Sequence, residues 1–150
     1  MRGIILALAL FAEVAAGSAS ANWSEEVRAT YDRFVAAQNA RDLRRVRELL
    51  LDGPQFLWVS DGMSVWGREA MLERMASFQE AEVWRVEPDL ARAEPVRVTD
   101  ATAFLHLPLT LVIGSQPSPD RLRFLVSILC VRGIDGWRIA ALFTTNAKSP

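Results

Sequence analysis

The sequence predicts an α+β domain in which helices cover one face of an antiparallel sheet, and three observations carry that prediction. Apolar residues recur at helical spacing from Val27 to Leu50, an Asp61-Gly62 pair separates two short apolar runs, and turn residues punctuate long apolar segments from Val83 onward. Strands joined by short turns pair antiparallel, because a parallel pair needs a long crossover. Helices segregated from such strands pack together on one side of the sheet.

A length of 150 residues corresponds to roughly one domain. With 17 basic and 18 acidic residues the net charge is −1, so no cationic surface is available for nucleic acid. The apolar content of 51% argues against disorder. It is unevenly spread: 15 of the first 21 residues are apolar. Residues 1–21 run from Arg2 through a short apolar core to Ala19-Ser20-Ala21, the order of a secretory signal peptide with cleavage expected after Ala21, and Ala19 as the second choice. Glu13 interrupts the run well short of the roughly 20 apolar residues that span a bilayer. The expected product is periplasmic or secreted, with no stable membrane insertion after cleavage. Cys130, the one cysteine, sits in an apolar run and reads as a buried thiol.

Asn22 precedes the first helix, with Glu25 three residues later as in a capping box. Val27, Tyr31, Phe34, Val35 and Gln38 form its inner stripe. Asp42 can cap a second helix with the stripe Leu43, Val46, Leu49 and Leu50, and Asp52-Gly53-Pro54 stops it. The neighbouring Arg41, Arg44, Arg45 and Arg47 read as a solvated outer face. A hairpin follows, since Asp-Gly between Phe56-Leu57-Trp58-Val59-Ser60 and Ser64-Val65-Trp66 is a strong turn signal. A third helix opens at Arg68, with Met71, Leu72, Met75 and Phe78 on one side. The remainder reads as strands over 83–98, broken at Pro88 or Pro95, then 102–113, 122–132 and 137–145, with no further helix. One domain is expected over 22–147.

The chain resembles the nuclear-transport-factor-2-like superfamily, in particular the SnoaL-like branch that includes polyketide cyclases and ketosteroid isomerases. The resemblance rests on Tyr31-Asp32-Arg33-Phe34, Asn39-Ala40-Arg41-Asp42-Leu43, Phe56-Leu57-Trp58-Val59-Ser60-Asp61-Gly62, Trp66-Gly67-Arg68-Glu69-Ala70-Met71 and Gly136-Trp137-Arg138-Ile139, in that order. It implies a cone, with a curved antiparallel sheet wrapped around the N-terminal helices, an internal cavity, and homodimerisation through the sheet. The resemblance also implies a carboxylate base on the strand 56–60 in isomerases, where this chain offers Leu57, Trp58, Val59 and Ser60, and its acid, Asp61, belongs to the turn.

For chemistry the residues offer little. The one histidine, His106, lies opposite the stripe Leu105, Leu107, Leu109, Leu111 and Ile113; it faces outward if the leucines meet the helices and lines the cavity if they do not. The weak catalytic candidates are His106 and Asp61. Arg123 alternates with Leu125 and Ser127, and is either a cavity cation able to fork onto a carboxylate or phenolate or an edge arginine in solvent beside Arg121. Tyr31 needs a partner for its hydroxyl, within the core or on a ligand. Trp58, Trp66 and Trp84 lie in or beside the sheet. Regular alternation puts Trp137, Ile139, Ala141, Phe143 and Thr145 on one face. The expected ligand-binding set is Tyr31, Trp58, Arg123, Phe143 and Thr145. No zinc-ligand set, phosphate loop or dinucleotide motif is present in the sequence, so no metal and no cofactor are expected.

Three functions follow. The first is an exported binding protein for a small hydrophobic or aromatic molecule. A cofactor-independent isomerase, cyclase or dehydratase using His106 or Asp61 is the second, and a dimeric interaction domain with no ligand is the third. With one histidine, one cysteine and apolar residues where the resemblance implies polar groups, the balance argues for binding over catalysis.

Overall fold

The computed structural model describes residues 22–148; the expected leader and its cleavage site lie outside the described residues. Helices α1 (Trp23–Asn39) and α2 (Leu43–Leu49) come first, then strands β1 (Leu57–Ser60) and β2 (Met63–Trp66), and helix α3 (Arg68–Phe78). Five more strands follow: β3 (Val83–Pro88), β4 (Glu94–Thr99), β5 (Thr102–Gly114), β6 (Asp120–Gly133) and β7 (Gly136–Asn146). Among the described residues, no helix is long and apolar enough to cross a membrane.

The local chemistry explains most boundaries. Asp42 accepts a hydrogen bond from the Arg45 backbone at 3.0 Å and caps α2 as expected. Asn22 makes no cap of its own on α1. Its amide instead donates to Glu26 at 3.3 Å, and Glu26 also accepts from the Trp137 indole at 2.9 Å. The expected capping box is therefore replaced by a tie between α1 and the sheet. Asp61 and Gly62 have φ of 52° and 70°, so both central residues of the hairpin turn are left-handed, as the natural twist of a two-residue hairpin requires. At Pro88 the expected long strand breaks, and a short 3-10 turn at Leu90–Arg92 separates β3 from β4. Among the described residues that turn is the one piece of helix beyond Val83, where none was expected.

The sheet order is β2, β1, β7, β6, β5, β3, with β4 also pairing with β5. β3 takes the Leu109 to Gly114 end of β5 and β4 takes the Thr102 to His106 end. All pairings are antiparallel except β1 with β7, which is parallel through Leu57, Trp58 and Val59. Trp58 and Trp84 come from opposite flanks of this order, yet both line one cavity. The sheet therefore curves around the helices without closing, and the α+β cone is the fold observed.

Element lengths explain why the cone is hollow. Helix α1 has 17 residues and spans about 25 Å at 1.5 Å per residue. Strand β6 has 14 residues and spans about 45 Å. One helix cannot cover such a sheet from end to end. At one end Val27, Leu105, Leu107, Ile128, Cys130 and Ile139 are fully buried against each other. At the other end, Leu109, Leu111, Ile113 and Phe124 border open space.

Polar contacts hold α1 in this position. The Asn39 side chain donates to the Val86 carbonyl at 3.0 Å and accepts from its amide at 2.7 Å, imitating a strand partner for β3. Arg41, itself left-handed at φ 55°, donates to the carbonyls of Gln79, Ala81 and Glu82 after α3. These bonds tie the end of α1 to the segment that leads from α3 into β3. Arg44 and Arg45 pair with Asp42, Arg44 also pairs with Glu48, and Arg47 with Glu69, so this arginine group is engaged on the outer surface.

Burial pushes the Cys130 thiol up to about 12 from an ordinary 9.0. It is expected to resist iodoacetamide in the folded protein and to be alkylated fully in urea, measured by intact mass. The unfolded thiol ionises first, so its contribution to stability is complete below about pH 9 and is lost as the pH rises toward 12. Alkylation without denaturant at neutral pH would contradict the packing at this end.

Candidate functional site

The hollow end encloses a cavity of about 350 Å³, within the usual range for a small-molecule site. Helix α1 contributes Tyr31, Phe34 and Gln38, and α3 contributes Arg74, Met75 and Phe78. Trp58 and Ser60 enter from β1, Trp84 and Val86 from β3, and Leu109, Leu111 and Ile113 from β5. Leu122, Phe124 and Val126 from β6 and Leu142, Thr144 and Asn146 from β7 complete the wall.

Strand β7 enters the cavity on an unexpected face. Leu129 pairs with Ala141 but Cys130 pairs with Ile139, so Ala140 is an extra residue without a partner on β6. Such a bulge reverses the alternation beyond it. Trp137 and Ile139 point inward before it, whereas Leu142, Thr144 and Asn146 point inward after it. Phe143, 43% exposed, and Thr145 consequently face outward and do not line the cavity. The regular alternation assumed from the sequence fails at Ala140, which corrects both assignments.

Arg123 takes the second of its two readings, the arginine in solvent, and is not a cavity cation. On β6 the inward residues are Phe124, Val126 and Ile128, so Arg123 is on the outer face, exposed and opposite Thr110. His106 is also outside, with Nδ1 2.8 Å from the Ser127 hydroxyl on the neighbouring strand. The leucine stripe meets the helices, and the sheet separates the histidine from the cavity. Asp61 lines the cavity from the exposed hairpin turn and is the one carboxylate among the described residues that does so. Tyr31 and Trp58 line it as expected. Trp66 is 60% exposed and takes no part.

Arg74 was not among the expected residues, although the helical spacing held its signal. It is three residues beyond Met71 and four before Phe78, at the margin of the apolar stripe of α3. Its guanidinium carbon lies 5.5 Å from the Trp58 ring centre and 5.1 Å from that of Phe78, within cation–π range. Those two rings meet edge to face, 6.2 Å apart. One terminal nitrogen of Arg74 donates to the Met63 sulfur at 3.6 Å, a weak acceptor. Arg74 makes no ion pair among the described residues. Its Nε and the indole nitrogens of Trp58 and Trp84 are buried with no acceptor among the described residues. Burial, with a smaller push from Asp32, raises the Tyr31 phenol well above its ordinary value, so it stays protonated. The described residues hold no group of three or more metal-ligating side chains.

The model of the SnoaL-like domain matches residues 27–142, a span running from the first inward residue of α1 to the β7 residue that meets Trp58. The chain belongs to the SnoaL-like family. Solved structures agree on the fold. A nuclear-transport-factor-2-like protein with a cystatin-like fold from Novosphingobium aromaticivorans superposes with a TM-score of 0.75 at 14% identity, covering 91% of this chain and 90% of that one. A nuclear transport factor 2-like superfamily protein from Salmonella enterica gives 0.73 at 15% identity, covering 87% and 96%. The ketosteroid isomerase-like protein from Erwinia carotovora atroseptica gives 0.67 at 17% identity, covering 84% and 97%. No match is found among curated proteins. At these identities the SnoaL-like family accounts for the cone, and the cavity residues must speak for what it holds.

Proposed function

We propose that this SnoaL-like protein is an exported binding protein whose cone holds a small hydrophobic or aromatic molecule. The observation that carries the reading is the 350 Å³ cavity with apolar strand walls, aromatic rings on several sides and few polar groups. Apolar surface supplies affinity in such a site and sparse polar groups set orientation. Proton-transfer chemistry finds less support, because His106 is on the far side of the sheet and Asp61 is exposed at the turn. The leader-like pattern of residues 1–21 supports export. Phe104, Leu125, Leu129 and Phe143 face outward from the sheet, which supports a homodimer formed sheet to sheet.

Native mass spectrometry of the protein recovered from the periplasm tests the reading: the expected species is a dimer of chains starting at Asn22, carrying a co-purifying small molecule. Saturating neutral 2-naphthamide is expected to raise the melting temperature by about 5–10 °C, the shift that a hundredfold excess over Kd gives a domain of this size. Val126→Phe, which fills part of the cavity, is expected to remove that shift. A protein that is reproducibly empty and unmoved by the amide would instead favour an interaction domain.

A further inference from the structure

The SnoaL-like cavity is lined by Gln38, Ser60, Asp61, Thr144 and Asn146 as well as by apolar groups, yet a cation and two indoles on its wall carry donors that none of these meets. Arg74 brings a full positive charge to its wall, half-buried between the rings of Trp58 and Phe78. Three N–H groups, on Arg74, Trp58 and Trp84, are buried without acceptors among the described residues. Removing a cation from water costs several kcal/mol unless it is paired. Two aromatic faces return only about 0.5–2 kcal/mol each, and the Met63 sulfur is a poor acceptor. An indole N–H buried without a partner costs about 1–3 kcal/mol more. Protonated Tyr31 adds a hydroxyl to the same wall. Other arginines of the domain are satisfied: Arg41 by three carbonyls, Arg68 by Asp52 at 2.9 Å, and Arg121 by Glu87 at 2.6 Å.

We propose that the cavity takes a small organic acid with a flat apolar body, its carboxylate held by Arg74 beside the Trp58 ring. This rests on the binding function proposed above and adds the charge of the ligand. The charge is single. One guanidinium neutralises one carboxylate, whereas a dianion such as a phosphate monoester would leave a charge unpaired. Asp61 on the same cavity adds repulsion against it. Leu109, Leu111, Ile113 and Leu142 give the body of the ligand an apolar wall, and the polar side chains left on the lining, Gln38, Ser60, Thr144 and Asn146, are neutral. The planar fork of the guanidinium matches a carboxylate in two parallel hydrogen bonds.

The test compares 2-naphthoate with its neutral isostere 2-naphthamide, by quenching of tryptophan fluorescence and by calorimetry, on the mature protein. The acid is expected to bind about tenfold or more tightly than the amide, as charge-assisted hydrogen bonds confer. In Arg74→Met the acid-to-amide ratio falls to below about threefold. Equal binding of acid and amide to the unmodified protein would overturn the anionic ligand while leaving the apolar cavity standing. An acid preference that survives Arg74→Met would place the anion elsewhere and overturn the assignment. Failure of both compounds to bind would remove the cavity reading itself, and the inference with it.

Discussion

Insertion of one alanine between Leu129 and Cys130 is expected to destabilise the domain by about 4 kcal/mol or more and to abolish 2-naphthamide binding, measured by urea unfolding and by fluorescence titration. The added residue gives Ala140 a partner on β6, β7 regains plain alternation against it, and one half of the pair must reverse its faces. The half before the bulge carries Trp137 and Ile139, 5% and 0% exposed, and is held by the Leu51 amide donating to the Ile139 carbonyl at 2.7 Å. The half after it carries Leu142, 7% exposed, followed by Thr144 and Asn146 at the cavity. Thr144 and Asn146 border open space, so that half turns. Leu142 then leaves the interior with Val126 and Ile128, at about 1.5–3 kcal/mol each, and Phe143 enters the cavity and occupies the ligand's space. The three paired residues of β1 lose their match with β7 as well. Deletion of Ala140, by contrast, leaves Ile139 and Leu142 on one face and keeps both halves where they are. Unchanged stability and binding in the insertion would mean that the bulge does not set the register.

The bulge also marks where sequence reasoning stops. The Asp61-Gly62 hairpin, the Asp42 cap and the apolar stripes of the three helices were all legible, because each depends on residues within one or two turns of each other. The bounds of β5, β6 and β7 lay within two residues of expectation for the same reason: turn chemistry is local. A bulge at Ala140 has no such signature. No glycine or proline stands there, and the kink is decided by two different partners, Leu50 bridging Ile139 on one side and Leu57 pairing with Ala141 on the other. The parallel match of β1 with β7 was equally hidden, since it joins segments more than 80 residues apart.

The site divides along the same line. Tyr31 and Trp58 were expected to line the cavity and do, because a helix stripe and a hairpin strand fix their faces locally. Phe143 and Thr145 depended on uninterrupted alternation, and Arg123 on which face of β6 met the helices. Arg74 was legible by spacing, but composition rules read an arginine beside an apolar stripe as snorkelling to solvent. Its cavity position follows from Trp58 and Phe78 on either side of it, a tertiary arrangement.

Truncations along the inner face of the sheet are expected to split sharply between its two ends. Ile139→Ala at the packed end should cost about 2–5 kcal/mol, because the side chain is fully buried and closely surrounded residues cannot collapse into the space it leaves. Leu111→Ala, on the opposite long strand, borders space that is already open. Its truncation enlarges an existing cavity and forfeits contacts on one side only, for about 1 kcal/mol. The ligand responses run the other way: Leu111→Ala weakens 2-naphthamide severalfold by removing apolar wall, while Ile139→Ala, remote from the cavity, changes stability alone. Equal stability losses from the two truncations would show that the sheet is packed to the same density throughout, and the hollow end would then have no claim to a ligand. The separation matters for function because the packed end supplies the rigidity that a preformed site requires. A cavity maintained by its own wall would shrink on losing a leucine; one held open by a separate core keeps its shape and changes only its fit.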